Sequence, residues 1–420
     1  MQWILKNQYQ DESSKNYGIW KTSIVNDKFD QNWREFIGCD LIIIQHKYST
    51  LLSHEMLKEI ETGLIHAARG AMRRNVGADY TNISIMSAFL MEYVGTAFKI
   101  DELKNAGLRK AQEVYKLYRK YNTFSEYNSP TYYGVTLVAL ALWRELAFSK
   151  DMREMGRTLE KEFWHEVATF YNPHLKNMPG PYFRGYGMDM KKYWSITGIW
   201  IALALDDVTQ SPTPQNKGPK YGEMSNLIPI LNVGLAIPQA DLARLSTFST
   251  RQFIQRTVPN KYLGDSLKQV TATVHKDWMM GGVWGSRRVW NQIKTGTIHW
   301  KMSNGDTGWL LVPGDGNTNV KVDNKQMILY AAHANVDRIE IYLHTTNGVE
   351  SFSKTPWVLS GLQLGIKTNL KTISIENIDT ISFQKQCEVA EKYDNIIKVV
   401  YDVPTGWNVL NPLIVLIPQQ

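Results

Sequence analysis

Hydrophobic and polar positions follow two different periods along this chain, and the change of period divides it. From residue 32 to residue 74 apolar side chains recur at helical spacing, with a break at residues 49–53, which predicts two helices. In the second, starting at His54, Leu57, Ile60, Leu64, Ile65 and Ala68 form the stripe of an amphipathic helix. Residues 81–98 are apolar nearly all round, and residues 101–121 are amphipathic and basic. The same succession returns as the apolar segment 131–147 and the charged amphipathic segment 151–171, and residues 190–205 close it with another apolar helix. A helix apolar on every side needs neighbours on every side, while an amphipathic one needs water on one. Helical hairpins set around an axis meet both demands and predict an incomplete or complete α/α toroid. A solenoid of helix pairs would alternate likewise, but long loops on one side only favour the toroid and a cleft.

Residues 1–28 are polar and aromatic with weak periodicity and read as an extended arm or short helix. Residues 206–222 (DDVTQSPTPQNKGPKYG) have the composition of a long surface loop. A further helical piece is expected over residues 224–253, interrupted at Pro229 and Pro238. From Leu267 the period falls to two: Val270, Ala272 and Val274 alternate with polar residues, and Ile298, Trp300 and Met302 alternate with Thr297, His299 and Lys301. Turn signals recur at Asn304-Gly305, Asp315-Gly316 and Asn347-Gly348, which predicts an antiparallel β-sandwich. The expected fold is therefore α+β and multidomain, with a helical toroid and its cleft in residues 1–266 and a sandwich in residues 267–420.

Composition narrows the class. At 420 residues, 43% hydrophobic and 21% charged, the chain can bury an ordinary core without disulfides or metals. Its two cysteines, Cys39 and Cys387, fall in different predicted domains and read as unpaired. The formal charge of +7 comes from scattered Lys and Arg, with no zinc-finger spacing or RNA-binding signature. Such a field suits a small anion or an acidic saccharide better than a nucleic acid. No run of about 18 apolar residues suggests a membrane span. The N-terminus has no apolar signal core, so location stays open between the cytoplasm and secretion after removal of a signal. Oligomeric state also stays open.

Three segments concentrate polar and aromatic residues just before apolar helices, where helix N-termini favour anions. The first, residues 126–134, offers Glu126, Asn128, Tyr132 and Tyr133, with Pro130 and Ser129 as helix-start punctuation. The second, residues 180–190, offers Arg184, Tyr186 and Asp189 in a glycine-rich loop. The third, residues 78–82, offers Asn82. His275 and His299 in the strand region complete the candidates. No HExxH, metal-ligand spacing, phosphate loop or nucleophile elbow occurs, so neither a metal nor a cofactor is expected.

The strings EYNSPTYYG, GPYFRGYGMDM and QIKTGTIHW resemble segments of a family of fungal and bacterial proteins. That family looks like the α/α-toroid plus β-sandwich group of carbohydrate-active enzymes, which includes polysaccharide lyases and glucuronidases. The resemblance spans roughly residues 70–310 and implies a saccharide substrate. For a lyase acting on a uronic-acid unit, Arg184 and Asn128 would engage the carboxylate, and Tyr132, Tyr133 or His275 would move protons. For a hydrolase, Glu126 and Asp189 are the available carboxyl pair. Asn82, Asn128, Arg184, Tyr186 and His299 are the expected substrate contacts. The alternatives are an enzyme of terpenoid or polyketide metabolism (isomerase, cyclase or dehydratase), favoured by the absent signal and by Tyr127, Tyr132, Tyr186, Met188 and Met190 near the loops, and a non-catalytic binder. A cleft rich in Arg, Lys and Asn would point to a uronate, and one walled by aromatics and Met to an apolar metabolite.

Overall fold

The computed structural model describes residues 1–23, 29–262 and 264–419. Within the N-terminal arm, residues 24–28 lie outside this description. The helices are α1 (Gln2–Lys6), α2 (Trp33–Tyr48), α3 (His54–Arg74), α4 (Thr81–Ala97), α5 (Asp101–Tyr121), α6 (Tyr132–Leu146), α7 (Lys150–Phe170), α8 (Ile196–Leu205), α9 (Leu227–Val233) and α10 (Gln239–Ser246). Strands follow: β1 (Gln252–Asn260), β2 (Asp265–Val274), β3 (Trp278–Trp284), β4 (Lys294–Lys301), β5 (Thr307–Pro313), β6 (Thr318–Val322), β7 (Met327–Ala331), β8 (Arg338–His344), β9 (Trp357–Leu359), β10 (Leu362–Thr368) and β11 (Lys371–Ile378). One more helix, α11 (Thr380–Gln386), precedes β12 (Ile396–Asp402) and β13 (Pro412–Gln419). The fold class is a helical N-terminal region followed by two antiparallel sheets.

Contacts group the chain into two compact units. The first holds residues 1–122, 135–163 and 226–236, and the second residues 123–134, 164–225 and 237–420. In the first, α4 is buried almost throughout from Thr81 to Gly95, whereas α5 buries only Leu103, Ala106, Gly107, Lys110, Ala111, Val114 and Tyr118. This is the inner and outer succession that a toroid requires. Helices α4 and α5 approach so closely that a Cβ on Gly107 would stand 2.4 Å from the Glu92 backbone nitrogen. Ser53 caps α3 by accepting the Met56 N–H at 3.2 Å, and Asn75 ends it in the left-handed region at φ 41°.

In the second unit, one sheet runs β1-β2-β3-β4-β5-β8-β12-β11 and the other β6-β7-β13-β10-β9. Alternate side chains of both sheets, among them Trp278, Ile298, Trp300, Leu310, Val320, Leu329, Ile341, Trp357 and Leu416, meet in a shared core. The larger sheet is also covered on its other face. There Trp309, Leu311, Tyr342 and Ile396 pack with Tyr182, Met188, Phe383, Cys387 and Tyr393. Strands buried on both faces lose the two-residue alternation, which is why Met279, Met280 and the neighbouring glycines of β3 carry a weak signal.

Three boundaries differ from the sequence expectation. Residues 190–194 are turn rather than helix, because Ser195 caps α8 through the Gly198 N–H at 3.1 Å. The piece expected as helix to residue 253 ends at Ser246, and strand begins at Gln252, ahead of the period change at Leu267. Helix α11 interrupts the strand region, capped by Asp379. Cys39 and Cys387 are free and buried. Among the described residues no helix is long and apolar enough to cross a membrane.

Candidate functional site

Two segments of the second unit, the approach to α6 and the loop before α8, are tied together by their own backbones. Asn128 sits in the left-handed region at φ 50°, which turns its amide to donate to the carbonyls of Pro179 (2.6 Å) and Pro181 (3.1 Å). Ser129 accepts the Tyr132 N–H at 3.0 Å as a helix cap and donates to the Arg184 carbonyl at 2.6 Å. The Thr197 N–H reaches the Pro130 carbonyl at 3.0 Å. A Cβ on Gly134 would stand 2.3 Å from the Ile196 carbonyl carbon, so only glycine lets the starts of α6 and α8 approach this closely. On its other side the second loop is tied to two connecting segments: the Gly185 N–H donates to the Gln292 carbonyl in the β3–β4 connection at 2.8 Å, and the Ala390 N–H, from the segment after α11, to the Tyr186 carbonyl at 2.7 Å.

These ties present one connected set of side chains. The Arg184 guanidinium lies 2.7 Å from the Glu126 carboxylate and 2.5 Å from the Tyr132 hydroxyl, with its carbon 3.6 Å from the centre of the Tyr132 ring. The Tyr132 and Tyr186 hydroxyls share a hydrogen bond of 2.7 Å. Tyr132 and Tyr186 are partly buried, the Arg184 side chain is 11% exposed, and Glu126 is 2% exposed. Burial opposes the charge on Arg184, but Glu126 and the two phenols together raise its pKa, so it stays a cation. Burial raises the Tyr132 phenol, and Arg184 opposes that shift. The arrangement supplies a fixed planar cation, a phenol touching it, and a second phenol to share the proton.

The other sequence candidates do not join this set. Tyr133 is buried, and its hydroxyl donates to Glu166, a buried carboxyl raised by desolvation that also accepts from Thr123 at 2.8 Å. As neighbours on a helix, Tyr132 and Tyr133 point about 100° apart, and only the first reaches solvent. Asn128 is fully buried and occupied by carbonyls, so the role of carboxylate contact expected for it is corrected to loop fastening. Asp189 is buried, accepts the Lys191 N–H at 3.0 Å, and is raised by desolvation. It is not half of an exposed carboxyl pair with Glu126. His299 lies in the centre of the larger sheet, not at an edge; burial pushes it down to about 3, and its ring faces the Met188 carbonyl at 3.1 Å. His275 sits in the β2–β3 turn, stacked on Trp278 with centroids 3.8 Å apart and lowered by burial. Asn82 is buried in the first turn of α4, in the other unit. Among the described residues no group of three or more His, Cys, Asp or Glu is placed to hold a metal ion.

Sequence reasoning missed three contributors. Glu391, from the segment after α11, accepts the N–H groups of Met188 (2.8 Å) and Asp189 (2.9 Å) and so fastens the Arg184 loop from beneath. Lys220 lies over the Tyr186 ring, and Trp290 lies near Arg184. Lys220 sits in a Pro- and Gly-rich loop and Trp290 in a β3–β4 connection, where no periodicity marks a side chain's direction.

Residues 1–229 match a family model described as a domain of unknown function, DUF8769. The chain belongs to this family. The family match covers both polar segments, at residues 126–134 and 180–190. No curated protein matches the chain. Among solved structures it is similar to a crystal structure of heparinase III at 11% identity, with a TM-score of 0.46, over 95% of this chain and 71% of that one.

Proposed function

We propose that this member of the family is a lyase that cleaves a uronic-acid-containing saccharide by β-elimination at Tyr132, Arg184 and Tyr186. The observation that carries the reading is the hydrogen-bonded row Glu126–Arg184–Tyr132–Tyr186, a cation and two phenols in continuous contact with partial access to solvent. Elimination beside a carboxylate needs charge compensation as the C5 proton leaves, and a proton for the departing oxygen at C4. The Arg184 guanidinium compensates the charge that builds on the substrate carboxylate and holds the ionised Tyr132 oxygen. The Tyr132 phenolate takes the C5 proton, Tyr186 gives its own proton to the leaving oxygen, and a proton passing along their shared hydrogen bond restores the pair. The C4–O bond breaks, a C4–C5 double bond forms, and the phenols end as they began.

Two features favour this over the other readings. Met188 and Met190, which pointed toward an apolar metabolite, are buried at 1% and 0% exposure, so they do not wall a binding surface. What reaches solvent beside the loops is Arg184, Lys220 and tyrosine. Hydrolysis by paired carboxyls is disfavoured because Asp189 is interior and Glu126 is committed to Arg184.

The test is to incubate the full chain with polymers of galacturonate, mannuronate and glucuronate and follow ultraviolet absorbance of the unsaturated product. Absorbance rising with wild type and lost with Tyr132→Phe supports the lyase. New reducing ends without the chromophore would mean hydrolysis, and no cleavage of any uronate would end the proposal. Since burial raises the Tyr132 phenol above its ordinary value of about 10, kcat/KM is expected to climb with pH and to be still rising at about pH 10. Arg184→Lys, which keeps the charge but gives up the fork that reaches Glu126 and the Tyr132 hydroxyl together, moves that climb to higher pH.

A further inference from the structure

The row of contacts continues beyond the reacting groups on both sides. Past Tyr186, whose ring lies 5.8 Å from that of Tyr132, the Lys220 ammonium stands 4.5 Å from the Tyr186 ring centre. Past Arg184, the Trp290 ring lies 5.7 Å from the guanidinium carbon, and the Arg288 guanidinium carbon lies 5.4 Å from that same ring. The order is Lys220, Tyr186, Tyr132, Arg184, Trp290, Arg288, a strip of three cations interleaved with three rings. Lys220 and Arg288 are exposed, Tyr186, Tyr132 and Trp290 are partly buried, and Arg184 is largely buried.

Resting on the lyase reading, we infer that this strip is an extended binding track for an anionic oligosaccharide, with units beyond the cleaved bond held at Lys220 on one side and at Trp290 and Arg288 on the other. A sugar ring offers an apolar C–H face and a polar edge, which suits an aromatic ring flanked by a cation. Spacing anions along a chain matches cations placed at both ends of a strip, whereas a lone monosaccharide would meet only Arg184. The nearby acid Glu223 bears on Lys220, and burial raises its carboxyl. Arg184 is paired with Glu126 and lies largely buried, whereas Lys220 and Arg288 are exposed at the positions where flanking carboxylates would lie. The predicted ligand is an oligouronate of several units, bound along its length.

The experiment measures binding of hexasaccharides and disaccharides of galacturonate, mannuronate and glucuronate to the full chain carrying Tyr132→Phe, which keeps the ring and blocks turnover. At least one hexasaccharide is expected to bind roughly tenfold or more tightly than its disaccharide, with affinity falling as salt rises. Adding Arg288→Ala or Lys220→Ala should lower the hexasaccharide-to-disaccharide ratio about threefold to tenfold and flatten the salt dependence, and Lys220→Arg should restore it. A ratio unchanged in both alanine variants, or no length preference in any series, overturns the track. The two readings fail separately. A ratio that responds while no uronate is ever cleaved removes the lyase and keeps the track; cleavage with an unresponsive ratio does the reverse.

Discussion

Two regions of the second unit draw on the same residue types and use them in opposite ways. Around Tyr132, a buried glutamate holds a largely buried arginine against a phenol that keeps partial access to solvent. Around Tyr133 and Asp189, tyrosine, glutamate, aspartate and histidine are sealed inside, and their partners are backbone groups or one another. Desolvation shifts groups in both regions, so a perturbed pKa does not by itself separate a reacting site from a structural network. Access to solvent and the identity of the partner do. A buried carboxyl bonded to backbone N–H groups holds a loop, whereas a half-buried phenol against an arginine keeps a free side for a substrate.

The adjacent tyrosines give the largest expected contrast. Tyr132→Phe should lower turnover on a uronate polymer about 10²–10⁴-fold with little change in stability. Tyr133→Phe should leave turnover nearly intact but cost about 1–3 kcal/mol, because the buried Glu166 loses a donor. Parallel measurements of turnover and denaturant midpoint decide it, and a reversal of the pair would dissolve the contrast. Arg184→Ala should abolish turnover and also destabilise by about 3–5 kcal/mol, since Glu126, 2% exposed, is left without its counterion. The double variant Arg184→Ala with Glu126→Ala should recover much of that stability and none of the activity. Recovered activity would mean that Arg184 acts only as a structural brace.

The sealed region is expected to declare itself through pH. Burial pushes Glu391 up to about 7 in the folded chain, against an ordinary value near 4.3 when unfolded. A carboxyl raised in this way is protonated more readily when folded. Its contribution is full below the unfolded value and is lost as pH rises through about 7. Asp189, raised by the same cause, acts in the same direction. Unfolding free energy should therefore fall between about pH 4.5 and pH 7.5 by on the order of 3 kcal/mol from Glu391 alone. Glu391→Gln should flatten that slope. A slope that survives the substitution would place the proton elsewhere.

The helical succession was legible because burial on one side or on all sides writes itself into apolar spacing, as α4 and α5 do. The sandwich was legible from its alternation and turns, but β1 was not, because Phe253 points outward and Pro259 interrupts its pattern. For the candidate site, the sequence pointed to two loops that the structure ties together, and it could not sort their residues. Tyr132 and Tyr133 look alike in a string, and which of them is sealed depends on Glu166, which comes from a distant position. Glu126 and Asp189 are both buried, and what separates them is the partner, the Arg184 guanidinium for one and the Lys191 N–H for the other. Lys220 and Trp290 carry no periodic signal because irregular loops set their directions.

The smallest expected effect belongs to His275, and it bounds the open region from outside. Among the described residues this histidine shares no hydrogen bond with the Tyr132 row; its ring stacks on Trp278 and faces the Asn324 carbonyl at 3.3 Å. Burial lowers its pKa, so near neutral pH it is an uncharged ring that covers an indole. Replacing it with Gln removes the stack and one long polar contact at the edge of the sandwich core. The cost should be about 1 kcal/mol or less, with kcat and KM on a uronate polymer within about twofold of wild type. Thermal melting and steady-state kinetics read the two quantities. If His275→Gln instead lowers kcat as Tyr132→Phe does while the melting point holds, proton transfer extends to the β2–β3 turn. The division between a half-open phenol row and a structural remainder would then have to be redrawn with His275 on the catalytic side.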